Sequence, residues 1–423
     1  MERLTAERIV SVWESLRFPA DAYGSAPGVL ERIYDQAAEA PKIQSAIDWL
    51  YEHIEEFREF LSDHDYRWVF EPRAYGAGNE AYLQMRVLQQ LSALYRIYKG
   101  VGMRLPPMGD VVVRGSLTSR YDMMSPRYLP RQGIHFIVVP IGFADWSQLA
   151  WWAVYCWCAG GDATDVDPWL AVTSRRHSSG VPAPEAEPSP ALLELIARHF
   201  ADPAKDLEVD RTDAAAVIAA KLPSFRRAAG LRPPEELTAF DEDIGYVLFD
   251  WSLSHELGHR LAGHAEHAQP GDPGYLDAEQ EADRLGFDLF RASWGWRSSL
   301  LERAPIDEAG RIFFGSLVFF HTARLQSILK AAVESKLGSE VPGACDARDG
   351  EQEQRARRWL ETAVAWIQSL EGTSAAMSTE TRGRIEAFAG NLTGFGEHVV
   401  AVVQKIPDDE IARISSIVGG LTK

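Results

Sequence analysis

The chain has 423 residues, 46% hydrophobic and 25% charged, ordinary globular values with length enough for two or three domains. Its 61 acidic and 43 basic residues leave a formal net charge of −18, which excludes a general nucleic-acid binder because no basic excess is present to neutralise phosphates. Three cysteines make no disulfide framework, and Cys156 and Cys158 have neither redox nor zinc-knuckle spacing, as expected in a reducing cytoplasm.

Residues 1–100 read as a helical N-terminal region. The opening "MERLTAERIVSVWESLRF" carries charges throughout and has no apolar signal-peptide core. In "PKIQSAIDWLYEHIEEFREFL", a proline suited to a first helical turn precedes a stripe of Ile43, Ile47, Leu50, Ile54 and Phe57. "YLQMRVLQQLSALYRIY" repeats the helical period and stops at Gly100. Two β-branched segments bounded by glycine and proline follow, "VVVRGSLTSRYDMMSP" and "GIHFIVVPIGF", and predict strands. The most apolar stretch, 133–161, is broken by Pro140, Asp145, Ser147 and Gln148. A span needs about 20 apolar residues, so this is read as a buried strand followed by a buried helix, and no membrane partner is expected.

Residues 173–190, rich in serine, proline and alanine, predict an exposed or disordered loop. Helical periodicity returns over 191–260, interrupted by "LRPPEEL", and dominates after residue 276. The expected fold is α+β and mostly helical, with a small sheet in the first half. Three consecutive regions are expected: a helical region 1–100, a central α+β domain 101–335 and a helical C-terminal region 336–423.

The chemistry concentrates in "FDWSLSHELGHRLAGH", residues 249–264. On a helix, residues four apart lie about 40° apart around the axis, so His255 and His259 project from one face and can share a tetrahedral metal. Glu256 directly follows the first of them, placed to take a proton from a water at that metal. A solvated helix with incidental histidines is the alternative. The aromatic and aliphatic density upstream argues instead for a buried helix, in which unpartnered histidines and a glutamate are costly.

A third ligand must then lie downstream. Ala262 and Ala265 occupy the positions where a metzincin carries glycine and histidine, which excludes that class. His264 follows Gly263, a residue suited to end the helix, and is expected to support the site without ligating. In "YLDAEQEADRLGFDLF", Glu279, Ala282, Asp283 and Gly286 share a face, and the two small residues permit close approach to the first helix. Glu281 points about 200° away, toward a charged solvated face. Glu279 is therefore the expected ligand and Asp283 the acceptor for a histidine N–H. The alternative is a surface helix with a run of acids.

"HELGHRLAGH" followed by "EQEADRLG" resembles the gluzincin pattern HExxH…ExxxD, shared by membrane-embedded zinc peptidases and by the soluble phage-exclusion protease group typified by Lit. The upstream "GIHFIVVPIGFADW" is similar to the strand-then-helix segment that precedes the active-site helix in such proteins. The resemblance is motif-specific over 255–286 and loose over 110–330. It implies a zincin-like core and a zinc endopeptidase acting on a protein or peptide substrate, with one Zn2+ per chain held by His255, His259 and Glu279. It also implies Glu256 as general base, a strand that pairs with substrate backbone, and a setting in phage defence or stress response. The expected absence of transmembrane helices favours the soluble group.

Hydrolysis also needs a donor for the developing oxyanion. His321 and Arg324 share a helix face in "SLVFFHTARLQSIL" and are the candidates, with Tyr275 as the alternative. Two rival functions remain. One is a regulatory protease of the ImmA type acting on a repressor, although no helix-turn-helix reader is evident. The other is a zinc-stabilised binding protein, against which an intact Glu256 speaks.

Overall fold

A computed structural model describes residues 4–15, 36–75, 78–116, 127–140, 143–159, 235–264, 274–300 and 375–408, with isolated positions or short helical runs at 172, 192 and between 320 and 365. The chain packs as two compact units, each discontinuous in sequence: residues 1–143 with 250–303, and residues 144–249 with 304–423. This grouping cuts across three consecutive regions, because the N-terminal helices share a core with the HExxH segment.

The first unit begins with helices α1 (Ala6–Ser15), α2 (Gln36–Glu52), α3 (Ile54–Asp63) and α4 (Gly78–Gly100). The expected apolar stripe is real, with Ile47, Leu50 and Phe57 buried, but the helix starts earlier and breaks at His53. Pro41 consequently lies inside α2 and not in its first turn.

Three strands follow, β1 (Val111–Ser116), β2 (Arg127–Arg131) and β3 (Ile134–Pro140), in the order β1-β3-β2. β1 runs parallel to β3, and β2 pairs antiparallel with it, Tyr128 opposite Ile137. Gln132 and Gly133, at φ 50° and 76°, supply the two left-handed residues of a tight hairpin turn. β1 and β3 answer to the two strands expected; β2 was not foreseen, because Pro130 disguises it as a loop.

Strand alternation gives the sheet two covered faces. Phe136 packs 5.4 Å from Trp13 of α1, and Arg114 on the same face lies over that indole. Tyr128 and His135 occupy the opposite face. The outer edge of β1 is closed by side chains of α4, where Gln84 accepts the N–H of Val113 and Glu80 that of Gly115. Glu80 also pairs with Arg114, and both are almost fully buried.

Helix α5 (Phe143–Ala159) confirms the buried helix expected after the sheet. From Ala144 it belongs to the second unit, where Trp151 is buried and packs on Phe388 of α8 (Ala375–Lys405). Gly394 of α8 leaves room for the Trp157 ring. The 173–190 segment lies outside the described residues. Among those residues no helix is long and apolar enough to cross a membrane. Among the described residues the fold is mostly helical with one small mixed sheet, the α+β class expected.

Candidate metal centre

Two helices build the site, α6 (Glu235–Ala262) and α7 (Tyr275–Leu300). They cross where the sequence is small. A Cβ on Gly258 would run into the backbone carbonyl of Ala282, and one on Gly286 would come within 2.9 Å of the His255 backbone and the Ser254 carbonyl. Ala282 and Gly286 thus have the role assigned from their shared face, and Gly258 completes the crossing from the other side. Near the crossing, Phe290 and Trp251 meet in a T-shaped pair, ring centroids 5.5 Å apart.

Helix α4 fixes α6 along its axis. Arg86 pairs with the buried Asp250 carboxylate, and Gln90 donates to the Asp250 carbonyl at 3.1 Å. The Ser254 hydroxyl lies 2.7 Å from that carbonyl and 3.2 Å from Oε1 of Gln90, alternative acceptors for its one proton. These contacts leave His255, one residue further on, directed at α7.

The expected ligands converge. Nε2 of His255 and Nε2 of His259 lie 3.2 Å apart, and Glu279 oxygens lie 3.4 Å from the former and 3.6 Å from the latter. A tetrahedral zinc with ligand bonds near 2.05 Å requires ligand atoms about 3.3 Å apart. The imidazole pair fits that requirement, each Glu279 oxygen faces one of the two nitrogens, and one ligand atom from each of the three buried residues lies within 4.8 Å of the others, close enough to hold a metal ion. Two imidazole nitrogens and a carboxylate suit zinc or another first-row divalent cation. The Glu256 carboxylate lies 3.9 Å from Nε2 of His255.

Comparison with protein-family models, curated proteins and solved structures finds no match to this chain. The metal centre rests on its own geometry.

Each histidine is also held from behind. Nδ1 of His255 faces a carboxylate oxygen of Asp283 at 2.9 Å, an ion pair when the imidazole is protonated. Nδ1 of His259 lies 2.8 Å from Nδ1 of His264. The helix ending delivers that contact: Gly263 is left-handed at φ 75°, its N–H reaches Arg260 O, and the N–H of His264 reaches His259 O. In this termination the residue after the glycine folds back beside the one five positions earlier, here His259. His264, expected to support the site, thus lies against His259, and its own Nε2 lies 3.4 Å from Glu281. Glu281 is exposed as expected, yet its length lets it reach back to His264.

Burial alone would lower the basicity of His255, but Asp283 and Glu279 override it and push the group up to about 10. The protein therefore places a concentrated negative field where a cation belongs. His321 lies outside the described residues. Arg324 belongs to the second compact unit, whereas every member of the centre lies in the first. Tyr275 opens α7 beside Gly274.

Sequence reasoning did not find Tyr128. Its ring is nearly parallel to that of His259, at 9° with centroids 6.0 Å apart, and its hydroxyl bonds Nδ1 of His135. Burial pushes the phenol up to about 12, Arg260 opposing and the Asp110 and Glu256 carboxylates adding to the rise. Burial also holds His135 below its ordinary value, with Asp110 and Arg260 acting against each other. The available signal was the alternation of "RYLPRQGIHFIVV" about a two-residue turn.

Proposed function

We propose that the chain is a zinc-dependent endopeptidase that hydrolyses a peptide bond of a protein substrate. The observation carrying this reading is a buried His255–His259–Glu279 cluster that could hold a metal ion, with the Glu256 carboxylate beside it. A structural site is ordinarily closed by four protein ligands, whereas three with an adjacent base suit a centre open to water. Zinc bound there supplies a Lewis acid that polarises the scissile carbonyl and acidifies water. Glu256 takes a proton from the attacking water and returns it to the leaving amine nitrogen. His255 and His259 are oriented by Asp283 and His264, so they lose little freedom on binding.

An extended substrate needs a free strand edge. The outer N–H groups of β1 at Val113 and Gly115 are already taken by Gln84 and Glu80, so a substrate backbone does not pair with that strand there. The likeness to the phage-exclusion proteases adds a setting in phage defence or stress response.

Glu256→Gln tests the reading, because the amide is nearly isosteric but cannot take the proton. The variant should bind zinc as the wild type does and lose about 10²–10⁴-fold in cleavage rate or in the associated host phenotype. An unchanged rate or phenotype would make the metal structural and replace the enzyme reading with a binding protein.

A further inference from the structure

Next to the metal centre runs a chain of polar groups that ligation does not use. It leaves helix α6 at Arg260, whose Nη2 lies 3.1 Å from Oδ2 of Asp110 and donates to Pro107 O at 2.8 Å. Oδ2 of Asp110 lies 3.5 Å from Nε2 of His135. With that nitrogen carrying the proton toward the carboxylate, Nδ1 of His135 holds the lone pair that accepts the Tyr128 hydroxyl. The Tyr128 ring then lies along the ring of His259, the residue preceding Arg260. The circuit starts and ends on adjacent residues of one helix, having passed through the loop before β1 and through strands β3 and β2.

We propose that Tyr128 is a positioning residue for the metal ligand His259, bracing the imidazole face through a hydroxyl anchored on His135, Asp110 and Arg260. His264 and His255 constrain the His259 ring at its nitrogens. Those contacts leave the ring able to tilt about the line joining them. A phenol plane alongside opposes that tilt, and the hydroxyl anchor keeps the phenol in register. A core tyrosine needed only for volume would have no use for a hydroxyl tied into an ion pair beside the ligand.

The inference rests on the metal reading alone and not on hydrolysis, so its test uses metal binding. Zinc affinity is measured by chelator competition, and cobalt-loaded protein is examined by its visible absorption, which reports ligand geometry. Tyr128→Phe keeps the ring and removes the anchor. It should lower zinc affinity about 10-fold to 100-fold, the usual range for a group acting behind a ligand, and change the cobalt spectrum. His135→Ala should do the same, and the double variant should add little, because both interrupt one path. A merely structural tyrosine would shift the melting temperature and leave affinity and spectrum alone. If Tyr128→Phe does not fold, Asp110→Asn breaks the same circuit and should give the same losses. Wild-type affinity and spectrum in Tyr128→Phe, or in Asp110→Asn where that replaces it, overturn the brace while leaving the metal centre standing. Failure of the wild type to bind zinc or cobalt overturns both.

Discussion

Substituting Gly286 by alanine should damage the metal centre from a residue that touches no metal. A Cβ there would sit 2.9 Å from the backbone N and Cα of His255 and from the Ser254 carbonyl, where ordinary contact begins at 3.4 Å. The two helices must therefore part by about 0.5 Å at that point, since both contacts are backbone and cannot rotate away. Metal–ligand distances tolerate about 0.2 Å, so Glu279 on α7 would be drawn out of reach of a cation held by His255 and His259 on α6. Two terms set the stability change. Glycine to alanine in a helix interior gains about 1 kcal/mol, and overpacking a tight crossing costs about 1–3 kcal/mol. The net should lie between no change and a loss of about 2 kcal/mol. Zinc affinity should fall at least about tenfold, equivalent to ~1.4 kcal/mol. Chelator competition reads the affinity and urea unfolding of metal-free protein reads the stability. Gly383→Ala in α8, where a Cβ meets nothing within 4 Å, is the control and should leave affinity unchanged. Wild-type zinc affinity in Gly286→Ala would refute the argument that the crossing sets the ligand triangle.

Two further outcomes follow from the same geometry. Glu279→Gln should reduce zinc affinity far more than Glu281→Gln, because the first removes a ligand oxygen and the second only the carboxylate behind His264; the reverse order in chelator competition would mean the α7 face is misassigned. In metal-free protein His255 is raised to about 10 from an ordinary value of 6.5, so its charged form stabilises the fold fully below pH 6.5 and that contribution fades as pH rises through about 10. Zinc must displace this proton, so binding at pH 8 should release about one proton and its affinity should strengthen as pH rises toward 10. Calorimetry in two buffers of different ionisation heat measures the release, and none at pH 8 would contradict the field ascribed to Asp283 and Glu279.

The clustering of His255, His259 and Glu279 was readable because its determinants are local: a four-residue spacing on one helix and a shared face on the next. His264 was readable for a similar reason, since Gly263 announces the helix end. What escaped was set by tertiary contact. Tyr128, His135 and Asp110 lie more than 100 residues before the motif, and no period links them to it. β2 combines a proline with a non-asparagine turn, so its propensity signal is weak although its pairing is well defined. The reach of Glu281 depends on side-chain length and on the fold-back of His264, neither of which a helical wheel represents.

The discontinuity of the first unit has a consequence for how the protein is made. The sheet and α4 leave the ribosome roughly 100 residues before Asp250 and the helix that carries His255. At about 5–20 residues per second, that interval lasts roughly 5–20 s. Throughout it, Arg86 and Gln90 have no Asp250 to bind, and the apolar face that later receives α6 is exposed to other chains. A nascent chain stalled in this interval is the species on which a chaperone, or an early misfolding step, would act.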